Sequence, residues 1–171
     1  SGAGKSSLVR AGLWAKLKAG TVPHIPGSDR WLITAMFPTA QGGDPFLALA
    51  SSLAQEPRLG GLYPYREAET LRNHPGVFAD LLNRVLAGLP PTAEWLLILD
   101  QMEELFTPAA ESYRDGFLDF LLASVELLRF RVVATVRSDF YAHCEAHPGL
   151  REVLNRDGGR YSVGVPGPLA M

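Results

Sequence analysis

A chain of 171 residues, 47% hydrophobic and 20% charged, is long enough for one domain with a sizeable core and has an ordinary soluble, globular composition. Its formal net charge of -2 gives no global basic field toward nucleic acid or an anionic membrane. The single cysteine, Cys144, excludes a disulfide framework within the chain and fits a reducing, cytoplasmic setting. No apolar run approaches the roughly 20 residues that cross a bilayer, because the best stretch, Phe117 to Val136, is broken by Asp119, Glu126, Arg129 and Arg131. The first residues are not expected to be a signal peptide, because Gly2, Gly4 and Lys5 stand where its apolar core would sit.

In chain order the pattern alternates helix and strand, which predicts an α/β fold with a mainly parallel sheet. No internal repeat interrupts it. Lys5 to about Ala19 is predicted helical, because Val9, Leu13 and Leu17 recur at four-residue spacing, and Gly20 is its stop. Trp31 to Phe37 is an apolar run of strand length. Asp44-Pro45 reads as N-cap and first helical position, followed by a buried stripe of Phe46, Leu49, Ala50 and Leu53. Glu56 to Pro64 is rich in Gly and Pro and predicts a loop, and Gly76 to Ala87 predicts a helix with Val77, Leu81 and Val85 on one face.

After a turn at Leu89 to Thr92, Trp95 to Leu99 is predicted to be a buried strand ending in Asp100. Ser112 to Leu128 predicts an amphipathic helix with the stripe Phe117, Phe120, Leu121, Val125 and Leu128. The next strand is expected at Arg131 to Val136, ending in Arg137, then a helix at Pro148 to Asn155 and a strand at Tyr161 to Val165.

Three constellations bear chemistry. The first is Ser1-Gly2-Ala3-Gly4-Lys5-Ser6-Ser7 at the helix entry, where Gly4, Lys5 and Ser6 match the last fixed positions of G-x-x-x-x-G-K-[ST]. Backbone N–H groups of such a turn cradle phosphate oxygens, and the helix N-terminus adds its partial positive charge. Lys5 supplies a point charge for the β- and γ-phosphates, and the Ser6 hydroxyl can ligate Mg2+. The plainer alternative is a Gly-rich helix cap. The motif's first Gly would lie ahead of Ser1, so the chain is expected to be a single truncated domain over 1–171.

The second constellation is an apolar strand running into Asp100, with Glu103 and Glu104 three and four residues on. A carboxylate at that place helps hold Mg2+, and an acid beyond it can orient or deprotonate an attacking water. Otherwise the two glutamates are a solvated first helical turn favoured by the dipole. The third is Thr135-Val136-Arg137-Ser138-Asp139 at the end of the following strand, where ligands of open parallel sheets bind. Arg137 is aimed at the γ-phosphate region, or else forms a salt bridge to Asp139 or Glu103. His143, Cys144 and His147 are too crowded for zinc, and Cys144 reads as a small buried apolar residue. Trp31, Trp95, Phe106 and Tyr141 read as core ahead of nucleotide-pocket walls.

The run Ser1 to Leu13 resembles the phosphate loop and first helix of the novel STAND NTPases, signal-transduction ATPases often joined to WD repeats. Leu97-Ile98-Leu99-Asp100-Gln101-Met102-Glu103-Glu104-Leu105-Phe106-Thr107 resembles that group's Walker B, with Met102 where Phe is more usual. Trp31 with Asp44-Pro45-Phe46, and Thr135 to Tyr141 with Cys144, resemble its second strand and helix and its fourth-strand segment.

The resemblance implies a three-layer αβα P-loop domain with sheet order 5-1-4-3-2, strand 1 lying ahead of Ser1. It implies an ATP- and Mg2+-dependent switch: Ser1 to Ser7 hold the nucleotide, Ser6 and Asp100 the Mg2+, Glu103 or Glu104 serves hydrolysis, and Arg137 senses the γ-phosphate. The intact protein is then expected to hydrolyse ATP, to self-associate in the ATP state, and to carry effector and WD-repeat or other sensor domains. The isolated piece is expected to be inactive, binding nucleotide weakly or not at all. A non-catalytic nucleotide-gated scaffold is the alternative. A P-loop small-molecule kinase is less favoured, since no Arg-rich lid follows the fourth strand.

Overall fold

The computed structural model describes residues 4–163. Three strands, β1 (Leu32–Met36), β2 (Trp95–Leu99) and β3 (Phe130–Ala134), form a parallel sheet in the order β1-β2-β3. Thr34 lies opposite Leu97, and Leu97 opposite Val132. Every residue of β2 is buried, as a central parallel strand covered on both faces requires, and so its sequence is continuously apolar and does not alternate. Burial weakens along β3, where Arg131 and Ala134 are exposed. Among the described residues no further strand pairs with its outer edge.

Successive strand residues point to opposite faces, and the core divides accordingly. Ile33, Leu96 and Ile98 pack with Leu17, Trp31 and the flanking Val9 and Leu13. The helix on that face, α1, runs through Lys5–Ser7, a π-helical stretch Leu8–Trp14, and Ala15–Lys18. It ends at Gly20, whose φ of 64° suits glycine.

Leu32, Trp95, Leu97 and Leu99 face the larger cluster on the other side. That cluster is built with α2 (Pro45–Ala54), α3 (Pro64–Asn73), α4 (Phe78–Leu86) and α5 (Arg114–Ser124). Its centre is aromatic: Phe78 meets Phe130 edge-on at 4.9 Å and Phe120 at 5.1 Å. Two shorter helices, α6 (Tyr141–Ala146) and α7 (Pro148–Asn155), follow β3. The result is a three-layer α/β domain. No helix among the described residues is long and apolar enough to cross a membrane.

Local chemistry explains most boundaries. The Asp44 side chain accepts from the Phe46 and Leu47 amides at 3.1 and 3.2 Å, and Pro45 occupies the first helical position of α2. Helix α3 has no counterpart in the expected elements, because it is polar along most of its length and buries only Ala68 and Leu71. A single 3-10 turn, Pro75–Val77, precedes α4.

Three expectations are corrected. β3 starts at Phe130 and stops at Ala134, so Thr135 and Val136 lie beyond it. Helix α5 stops at Ser124, and Leu128 is 85% exposed and not part of the stripe. Beyond it, Arg129 at φ 73° leads into β3 and sends its guanidinium to the carbonyls of Ala93 (2.7 Å) and Pro90 (3.1 Å). Residues Tyr161 to Val163 are not strand, and the rest of that expected strand, Gly164 and Val165, lies outside the described residues.

Candidate functional site

The first turn of α1 and the ends of β2 and β3 converge on Asp100. This residue directly follows β2, is only 1% exposed, and its amide donates to the Met36 carbonyl at 2.9 Å. Ser6 donates its hydroxyl to Asp100 Oδ1 at 2.7 Å, and Thr135 donates to the same oxygen at 2.6 Å. The other oxygen, Oδ2, lies 3.4 Å from Arg10 Nε. The Arg10 guanidinium also rests on the Phe37 ring, 5.1 Å from its centroid. A buried carboxylate needs such partners, since desolvation without them is costly.

Thr135 is the hinge of this arrangement. Its amide donates to the Leu99 carbonyl (2.9 Å), its carbonyl accepts from Met102 (2.8 Å), and its hydroxyl oxygen accepts from the Gln101 amide (2.9 Å). Gln101, at φ 59°, adopts the left-handed conformation that turns the chain off the strand. Gly4, at φ 69°, does the same at the entry of α1 and accepts the Leu8 amide at 2.8 Å.

The two glutamates sit on one 3-10 turn, Met102–Phe106, anchored by buried Met102 and Leu105. Their partners differ. Glu104 Oε2 accepts from both the amide and the hydroxyl of Thr39, in the loop after β1; the amide distance is 3.2 Å. Glu103 Oε2 accepts from the Arg137 amide at 3.3 Å. The Arg137 guanidinium makes a two-pronged bond to Asp139, at 3.1 and 2.8 Å. That bond holds Arg137 above its usual pKa and Asp139 below its own. The alternative reading of Arg137 as a salt-bridge residue therefore describes its guanidinium in this structure, with Asp139 as the partner.

A cavity of about 440 Å3 opens beside β3. Lys5 and Thr135 are among its lining residues, and Leu121, Val132, Cys144 and Leu150 belong to its apolar part. Cys144 is 1% exposed, and burial, with smaller contributions from Glu103 and Glu145, pushes its thiol up to about 11. Trp31 and Trp95 are buried core, whereas Phe106 and Tyr141 are half-buried.

Of the expected site residues, Ser6 and Asp100 are in direct contact and Lys5 lines the cavity, while Glu103 is joined to Arg137 and Glu104 to Thr39. Ser7 is exposed. Ser1, Gly2 and Ala3 lie outside the described residues. Sequence reasoning assigned no role to Thr135, Arg10 or Thr39. For Thr135 the sequence offered no signal: the register that sets Ala134 opposite Leu99, and so Thr135 beside Asp100, is fixed only in the folded sheet. Arg10 had a weak one, its four-residue spacing from Ser6 on one helix face.

A helix entry and a strand-end carboxylate meeting at the carboxyl ends of parallel strands are the features of a P-loop-type nucleotide-binding α/β domain. A sequence model of the family described as Novel STAND NTPase 1 matches residues 1–168, and the chain belongs to that family. Neither the curated proteins nor the solved structures include a match to this chain. Family membership makes this a nucleotide-binding signalling domain.

Proposed function

We propose that this domain binds and hydrolyses ATP with Mg2+ as a regulatory switch. The observation that carries the reading is the Ser6–Asp100 bond, which joins the first turn of α1 to the end of β2. In this reading the Ser1 to Ser7 backbone and Lys5 take the phosphates, and Ser6 and Asp100 hold the cation. The donors, a hydroxyl and a buried carboxylate, are hard oxygens, the set Mg2+ prefers. The cation supplies charge neutralisation at the phosphate oxygens.

The residues of the chain supply orientation. Glu103 accepts only one long amide bond among the described residues, so its lone pairs are free to orient a water and take its proton. Glu104, held by Thr39, is a positioning group for the same turn. Arg137 is the γ-phosphate sensor in this reading, and its exchange of Asp139 for phosphate changes the loop after β3. A complete sheet of order 5-1-4-3-2, with β1, β2 and β3 as strands 2, 3 and 4, is supported by the outer edge of β3, which has no partner strand among the described residues. Self-association in the ATP state, effector and WD-repeat partners and a cytoplasmic place follow from the family reading alone.

Lys5→Ala in the full-length protein tests nucleotide binding, with loss expected; binding of Mg-ATP at wild-type strength would refute the assigned loop. One observation favours a second reading, a scaffold that binds without turnover: Glu104 and Arg137 are both already bonded to protein groups. Unchanged phosphate release in both Glu103→Gln and Glu104→Gln would select the scaffold.

A further inference from the structure

We propose that Arg10 is a built-in competitor of the divalent cation for Asp100. The proposal rests on the reading of Asp100 as part of a cation site. Asp100 is nearly inaccessible, and its Oδ1 is taken by two neutral hydroxyls. The formal charge is met at Oδ2, where Arg10 makes the only ion pair of Asp100 among the described residues, at 3.4 Å. A cation reaching that oxygen meets a guanidinium already there, and two positive charges at one carboxylate oxygen repel.

Arg10 has somewhere to go. Its side chain is 43% exposed, against 2% for that of Asp100. It projects from the π-helical stretch that begins directly after Ser7, four residues from Ser6. The Phe37 ring lies against the same guanidinium, so a small shift can weaken the ion pair while the ring contact is kept. Arg10 therefore balances the charge of the buried Asp100, and its withdrawal is the cost that sets how much Mg2+ the site needs. The same exchange reports cation occupancy to α1 and to the segment after β1 that carries Phe37.

The experiment uses the full-length protein, with Mg2+ as the probe. The thermal midpoint is measured in EDTA and across a Mg2+ titration, without nucleotide and with ATP. Arg10→Gln is expected to lower the midpoint in EDTA, and to lower the Mg2+ concentration for half-maximal stabilisation about fivefold or more, an ordinary coupling between binding events. Arg10→Lys, which keeps the charge and protects folding, is expected between Arg10→Gln and wild type. A Mg2+ requirement that is unchanged or raised in both variants overturns the proposal while leaving the ATP-switch reading intact. A wild-type protein that binds ATP with no Mg2+ effect on either readout overturns the cation site itself, and this proposal with it.

Discussion

Ser6 and Asp100, 94 positions apart in the chain, meet at 2.7 Å. The bond spans the two layers of structure that must act together in a nucleotide switch: a helix entry that faces phosphate, and the central strand of the sheet. A hydroxyl and a carboxylate held together by the fold have less ordering left to lose when a ligand binds them.

Thr135 is expected to be as sensitive as Asp100. Its hydroxyl donates to Asp100 and accepts from Gln101, both within 2.9 Å. Thr135→Val keeps the shape but leaves a carboxylate oxygen and an amide short of a partner, a loss of about 1–3 kcal/mol. Denaturant unfolding should show that destabilisation together with weaker Mg-ATP binding. A shift in neither would show that the threonine acts by shape alone.

The two glutamates are expected to separate kinetically. Glu103→Gln should lower phosphate release by roughly 100-fold or more with ATP affinity retained, the usual scale for a general base. Glu104→Gln should have the smaller effect, acting through the turn that Thr39 holds. Single-turnover hydrolysis with separately measured binding checks this. Equal losses would assign the two acids a shared role.

Gly43 sits at φ 89°, and a Cβ placed on it would lie 2.1 Å from the Ala109 carbonyl oxygen. Gly43→Ala therefore combines backbone strain with a clash against rigid backbone, and is expected to destabilise by about 3 kcal/mol or more. Because Gly43 donates to the Thr39 carbonyl at 3.3 Å, the variant should also loosen Thr39 from Glu104. A thermal midpoint within a degree of wild type would contradict this.

Cys144 makes stability depend on alkaline pH. Its thiol is raised from 9.0 to about 11 in the fold, chiefly by burial. Above the unfolded value the unfolded chain loses its proton first, so the unfolded state binds fewer protons and stability falls as pH rises from 9 toward 11. The loss is expected to approach roughly 2 kcal/mol. Cys144→Ala should flatten the curve over that window, as followed by urea unfolding, and the native thiol should resist alkylation at pH 8.

Much of the architecture is legible in residue patterns. Trp95 to Leu99 declares a central strand because both of its faces are covered, and Asp44-Pro45 declares a helix start because cap and first-turn chemistry is local. Helix α3 is not legible, because Ala68 and Leu71 alone do not make a stripe. Leu128 misleads: the periodicity continues past Ser124, but the helix stops there and Leu128 lies on the exposed turn into β3, where Arg129 is tied to Ala93 and Pro90.

The sequence by itself determined the kinds of groups at the site: the Gly4-Lys5-Ser6 entry, the acid after an apolar strand, and the paired glutamates beyond it. These are short, contiguous patterns whose backbone and charge requirements are local. Tertiary structure decided which groups share Asp100, bringing Thr135 from just past the end of β3 and Arg10 from α1. It also sent Glu104 to Thr39 and Glu103 to the Arg137 amide. The physical reason is that these pairings depend on strand register and helix placement, which are set by burial of the two core clusters across the whole chain.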